Sequence, residues 1–187
     1  MSAKQSIECA IVRRFLVDLG ASSDSAAPRD RPDVEVVVSG RRIGIEVTVF
    51  HSDETANAKG SLYRQSESKL AGRNRDAVYS MNTTTQPELA ISSRIIDKAI
   101  KATGYETNSF DEIWLLIAAQ IPEPGAIAST YIFDQFLNCE SLTQETTLDL
   151  NSSVFSKAFI YLMMNHAIFQ WDRGGAWSRA NLGQERT

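Results

Sequence analysis

The chain has 187 residues, 43% of them hydrophobic and 22% charged, with a formal net charge of −4 at neutral pH. That length suits one domain with a proper core, and the composition excludes a collagen, a coiled coil or a disordered polymer. The acidic balance argues against a protein that coats nucleic acid without selectivity, because phosphate contacts rest on Lys and Arg.

The run S-A-K-Q at 2–5 reads as a capping box and Gly20 as a C-terminal stop, which predicts a helix over residues 3–19. Its apolar positions include Ile7, Ile11, Val12, Phe15, Leu16 and Leu19, and Glu8 falls at the edge of that stripe. No basic stretch precedes an apolar core here, so a secretory signal is not read and a cytoplasmic setting is expected. Residues 21–31 are small and polar and contain a proline, the composition of a loop. Two β-rich runs follow, 34–38 and 43–50, separated by S-G-R-R in the manner of a hairpin. Residues 61–81 repeat Leu62, Leu70, Ala77 and Met81 on one helical side, although Gly72 lowers the propensity. Pro87 is placed to open a helix that runs to about Thr103, closed by Gly104, with Leu89, Ile96 and Ile100 turned inward. The run 113–119 is continuously apolar, too short to cross a bilayer and suited to a strand covered on both faces. Residues 127–137 read as a helix, 140–153 as a polar loop, and 155–164 as a buried strand or helix. The unit is expected to span 1–171, with 172–187 a loosely held tail. Cys9 and Cys139 form neither a disulfide framework nor a metal-ligand spacing. This element order predicts a mixed α/β fold with a central sheet flanked by helices.

The hairpin carries the chemistry. If it closes about S-G-R-R with Val38 facing Ile43, then Val34, Val36, Val38, Ile43, Ile45, Val47 and Val49 share one aliphatic face. Asp33, Glu35, Val37, Gly44, Glu46 and Thr48 share the other, with Glu35 across from Glu46 and Asp33 across from Thr48. Acids opposed on a strand pair repel, by up to ~1 kcal/mol when exposed and by more when covered. Such a patch calls either for a divalent cation or for an Arg or Lys from elsewhere; acids on a solvent-exposed sheet face are the plainer alternative. Oxygen-only ligation would suit Mg²⁺ or Mn²⁺ rather than zinc.

The segment R-P-D-V-E-V-V-V at 31–38, followed by R-I-G-I-E-V-T-V-F-H at 42–51, resembles the PD-(D/E)XK nuclease superfamily, to which restriction endonucleases belong. Pro32-Asp33 takes the place of its P-D, and Glu46-Val47-Thr48 the place of its (D/E)-X-K triplet, thirteen positions further on. The helix bearing Glu8 takes the place of the helix that often supplies another acid, and the resemblance covers roughly residues 1–80. It implies a restriction-endonuclease-like α/β fold and metal-dependent hydrolysis of phosphodiester bonds in DNA. Asp33, Glu46 and the Val47 carbonyl would hold Mg²⁺ or Mn²⁺, with Glu8 as an outer or second-site ligand. Two departures stand out: Thr48 replaces the family lysine, and 21–31 is short for the strand usually found before P-D. Gln65, Lys69 or Arg64 on the helix 61–81 could carry the displaced polar or basic role. Basic residues Lys59, Arg64, Lys69, Arg73 and Arg75, against the single acid Glu67, would track a nucleic-acid backbone; a solvated helix face is the bland reading.

Other residues carry weaker signals. His51, Asp53 and Glu54 could add to the metal site, while His166 reads as a satisfied semi-core residue. Trp114 reads as strand packing, and Trp171 and Trp177 as caps on the core. No phosphate-binding glycine loop, nucleophile elbow or triad spacing is present. Three functions stay open at this level: a nuclease, a binding or assembly protein whose site has decayed, and a hydrolase of small phosphate esters. A homodimer also stays open.

Overall fold

Ser2 extends into a helix cap, its hydroxyl accepting from the Gln5 N–H while the Gln5 side chain accepts from the Ser2 N–H. The helix α1 so started (Ala3–Asp18) ends at Gly20 (φ 78°), where Gly20 N–H reaches Val17 O and Ala21 N–H reaches Leu16 O. That pair of bonds is a Schellman motif, and it requires the left-handed conformation that glycine adopts without penalty. The computed structural model describes residues 2–21, 26–51, 87–105, 107–120, 136–163 and 166–180. The helices expected over 61–81 and 127–137 lie wholly or mainly outside these.

Among the described residues, seven strands form one mixed sheet in chain order: β1 (Ala27–Pro28), β2 (Val34–Val38), β3 (Arg41–His51), β4 (Glu112–Gln120), β5 (Lys157–Leu162), β6 (Ala167–Asp172) and β7 (Ser178–Arg179). The pairs β3–β4 and β4–β5 are parallel and the others antiparallel. Parallel pairs need crossovers, and the helices α2 (Pro87–Lys101) and α3 (Glu140–Ser152) lie within them. The expected α/β sandwich of helices around a central sheet is thus the observed architecture. No helix among the described residues is long and apolar enough to cross a membrane.

Alternation along the central strands divides the core in two. Ile43, Ile45, Val47, Trp114, Leu116, Ala118, Phe159 and Tyr161 pack on the α1 side against Ile11, Val12, Phe15 and Leu16. Phe50, Ile113, Leu115, Ile117, Ala119, Ile160 and Leu162 pack on the other side against Ile91, Ile95, Ala99, Leu142 and Leu150. The central strand β4 is buried on both faces, as its unbroken apolar run requires.

The hairpin closes more tightly than its spacing suggests. Val38 pairs with Arg41 rather than Ile43, so the turn is the two residues Ser39 (φ 51°) and Gly40 (φ 77°). Two positive φ angles in a two-residue loop are the type I′ geometry, whose twist matches that of the strands. The register moves by an even number of residues, so each side chain keeps its face while its cross-strand partner changes. Glu35 now lies opposite Gly44, not Glu46.

Four further expectations need correction. Residues 21–31 contain the short strand β1, which pairs with β2. On α2 the buried stripe is Ile91, Ile95, Ala99 and the following Ala102, while Ile100 is 61% exposed; the helix is rolled by roughly a third of a turn. Residues 140–153 are helical: Leu142, Thr146 and Leu150 recur every fourth position, and the buried Thr146 hydroxyl donates to Leu142 O. The first part of the tail is held in place. Arg173 donates to Ser153 O and Phe155 O, the Trp177 indole N–H donates to Thr146 Oγ1 at 3.1 Å, and β7 pairs with β6. Trp114, Trp171 and Trp177 are all buried, in keeping with their packing roles. Neither Cys9 nor Cys139 is in a disulfide.

His166 is exposed rather than semi-buried. Its Nδ1 lies 2.9 Å from Asp18, its Nε2 lies 3.3 Å from Arg14 Nη2, and Asp18 also accepts from the Tyr161 hydroxyl. This cluster pins the C-terminal end of α1 to the β5–β6 turn.

Candidate functional site

The strand β3 outlasts β2: the last paired residues are Val34 and Ile45, and β3 continues to His51. Beyond Ile45, the edge of β3 facing β2 has no strand partner among the described residues, and its backbone groups need another. Asp33 supplies one, its Oδ2 accepting from the Val47 N–H at 2.9 Å. In a strand the N–H and C=O of one residue point the same way, so the Val47 carbonyl is directed to that edge as well.

Chain packing presses Asp33 into place. The loop before it folds over the sheet, with Arg29 N–H donating to Asp33 O at 2.8 Å. The Pro32 ring lies where a side chain at position 44 would project: a Cβ on Gly44 would stand 2.3 Å from Pro32 Cγ and 3.3 Å from the Phe110 ring. A larger residue at 44 would therefore push the Pro32-Asp33 segment off the sheet. The glycine of I-G-I-E-V-T is a condition for seating the Asp33 carboxylate against β3.

Glu46 lies on the same face as Gly44 and is 4% exposed. Its Oε1 accepts from Lys98 Nζ at 2.6 Å, and Tyr105 shares a side-chain hydrogen bond with it. Burial first, then the Glu46 charge, push the Tyr105 phenol above its ordinary value, so it stays a donor. Glu8, from α1, is 6% exposed and pairs with Lys4 at 3.1 Å; the same ammonium lies 3.6 Å from Asp33 Oδ1. The Glu8 hydrogen bond and the Asp33 charge together raise the Lys4 pKa. Asp33 is pushed up to about 6, first by burial and next by the neighbouring Glu46 charge; the Val47 N–H and Lys4 oppose this only in part. Thr48, two residues on from Glu46, has a buried hydroxyl with no hydrogen-bond partner among the described residues.

The structure thus brings Glu8, Asp33, Glu46, Val47 and Thr48 to one edge of the sheet. It removes Glu35, which is bound by Arg29 and by Arg42. Gln65, Lys69, Lys59, Arg64, Arg73 and Arg75, together with Asp53 and Glu54, lie outside the described residues, and so does the side chain of His51. Sequence reading missed Lys4, Lys98 and Tyr105. Lys4 stands one helical turn before Glu8 and was legible as its i,i+4 partner. Lys98 flanks the Ile91–Ile95–Ala99 stripe and would have been found had that stripe been chosen over Leu89–Ile96–Ile100.

Three carboxylates at this edge face two ammonium groups. Among the described residues, no group of three or more His, Cys, Asp or Glu side chains is arranged to hold a metal ion. Asp33 and Glu46 offer oxygen donors only, a hard set of the kind Mg²⁺ and Mn²⁺ prefer. Scans against protein-family models, characterised proteins and solved structures return no match for this chain.

Proposed function

We propose that this chain is a cytoplasmic Mg²⁺- or Mn²⁺-dependent nuclease of restriction-endonuclease-like type, hydrolysing phosphodiester bonds in DNA. The observation that carries this reading is the seating of Asp33 on the Val47 N–H, which sets its carboxylate beside Glu46 where β3 runs on past β2. The elevated Asp33 pKa supports it, because among the described residues burial and the Glu46 charge outweigh the Val47 N–H and the Lys4 ammonium.

Asp33, Glu46 and the Val47 carbonyl would hold the ion, with Glu8 behind them. When bound, the ion supplies Lewis acidity, lowering the pKa of a water and neutralising charge on the phosphodiester. Lys98 takes the role that Thr48 cannot fill: its ammonium, held by Glu46, is placed to orient a water or to donate to a phosphate oxygen. Tyr105 fixes the Glu46 carboxylate from a second direction, and the Thr48 hydroxyl supplies a neutral partner for water at the same face.

A second reading, a binding protein on the same fold, draws support from Lys4 and Lys98 already sitting on the acids and from Thr48 in the lysine position. Thermal shift separates the two. For the nuclease, Mn²⁺ at about 100-fold over its Kd should raise Tm by about 5–10 °C. Asp33→Asn and Glu46→Gln, which keep shape and hydrogen bonding, should abolish that rise together with DNA cleavage. A binding protein would show no Mn²⁺ response, and cleavage surviving in both variants would overturn the nuclease.

A further inference from the structure

The solvent face of α1 is positively charged on an acidic chain. Residues 3, 6, 7, 10, 13, 14 and 17 recur at helical spacing and are exposed. The two acids of the helix are not: Glu8 is buried, and Asp18 is held by Tyr161 and His166. Its three cations stay outside. Lys4 is 76% exposed at the end next to Glu8 and Asp33, and Arg13 and Arg14 follow along the helix. The arginines hydrogen-bond to the Ala26 carbonyl at 3.1 Å and to a His166 ring nitrogen at 3.3 Å rather than to carboxylates. By contrast, Arg29 and Arg42 share Glu35, Arg41 pairs with Glu112 and Lys101 with Asp97. A face with three cations and no exposed acid thus starts at the candidate site and runs away from it.

We propose that this face holds the phosphate backbone of duplex DNA beside the candidate site, through Lys4, Arg13 and Arg14. The inference rests on the nuclease reading given above, names the surface that meets the substrate, and needs no bound ion. Lys4 and Arg14 are ten residues apart, about 15 Å along the helix axis. Over that length a duplex presents about nine phosphate charges. Ala3, Ser6 and Ala10 keep the outer line of the helix low, so a broad polyanion can come within reach of the arginines. Lys4 also stands in a first turn without an acid, where the helix dipole disfavours a cation, and an anion outside that end relieves both. A protein partner would find Ile7 and Val17 as the large apolar groups here, each 56% exposed, ten residues apart with Arg14 between them. The cations therefore decide the partner, a backbone bound by charge and not by base sequence.

Fluorescence anisotropy of a short labelled DNA duplex, with the full chain and EDTA present, tests this apart from catalysis. Ala10 is exposed at the centre of the face, where Glu, Gln and Lys are all good helix formers. Ala10→Glu should weaken binding about tenfold, Ala10→Lys should tighten it about fivefold, and Ala10→Gln should leave it unchanged. Arg13→Gln/Arg14→Gln should lower the slope of log K against log salt by about two, one for each lost phosphate contact. Circular dichroism checks folding. Equal affinities in the three Ala10 variants, or an unchanged slope, overturn the proposal, and Mn²⁺-dependent cleavage would then keep the nuclease reading standing. A wild type that binds no duplex overturns it as well, and absent cleavage in the same preparation removes the nuclease reading with it. A wild-type dimer in sedimentation that Ile7→Ser/Val17→Ser dissolves assigns the face to a second copy and likewise overturns the proposal.

Discussion

A carboxylate buried beside another carboxylate holds its proton more tightly in the folded chain than in the unfolded one. For Asp33 the folded value of about 6 stands above the ordinary 3.8. The unfolded state therefore releases this proton at lower pH, and the Asp33 contribution to stability is largest below about pH 4 and declines as pH rises through 6. The full difference corresponds to at most about 3 kcal/mol, before relaxation and the partial compensation by Lys4. Asp33→Asn should remove this decline. Urea unfolding midpoints of the apo protein at pH 4.5 and 7.5 should converge in the variant relative to the wild type, and an unchanged pH dependence would show that Asp33 is not the group responsible. Asp33 and Glu46 were legible together from their shared strand face and from the resemblance of Pro32-Asp33 and Glu46-Val47-Thr48 to a nuclease motif, although the register expected from the spacing set Asp33 across from Thr48. Lys98 and Tyr105 were not, since contact with Glu46 depends on how α2 is rolled against the sheet.

At the scale of elements, β-period alternation was a stronger guide than turn length. The hairpin faces were read correctly although the turn was taken as four residues, because a shift of two positions leaves each side chain on its own side. Polar helices were the weak point. In α3 only Leu142, Thr146 and Leu150 are buried, and Thr, Asn and Ser are indifferent helix formers, so the pattern was thin. The same element anchors the chain beyond β6 through Thr146, and Trp177 also packs edge-on against Phe136, just before that helix, at 5.5 Å. Trp177→Ala should cost about 3 kcal/mol, seen as a lowered urea midpoint with an unchanged slope. A negligible change would restore the picture of a loosely held tail.

Over the whole molecule, the candidate site lies where the two faces of the sheet meet at an edge. Glu8 and Lys4 come from the layer on one side, Glu46, Lys98 and Tyr105 from the other, and Asp33 from the loop that rounds the edge. Binding of an ion there would tie both layers together and slow their local opening. Hydrogen exchange in the presence of Mn²⁺ should show added protection in the first turns of α1, around 46–48 and in α2 near Lys98. The β5–β6 pair, far along the sheet, should be unaffected. Uniform protection across the sheet, or none near Lys98, would place the ion elsewhere.

Taken by itself, the amino-acid order determined the helix α1 with its two caps, the faces of β2, β3 and β4, and the acids those faces carry. These depend on periodicity and on neighbours within a few residues, which local sterics and burial read directly. Only the tertiary structure decided that Lys98 answers Glu46 and that Lys4 reaches Asp33 as well as Glu8, that Arg42 draws Glu35 out of the site, and that Pro32 resting on Gly44 seats Asp33. Those are contacts between residues far apart in the chain, set by how helices roll and loops fold over a sheet, and no local pattern encodes them.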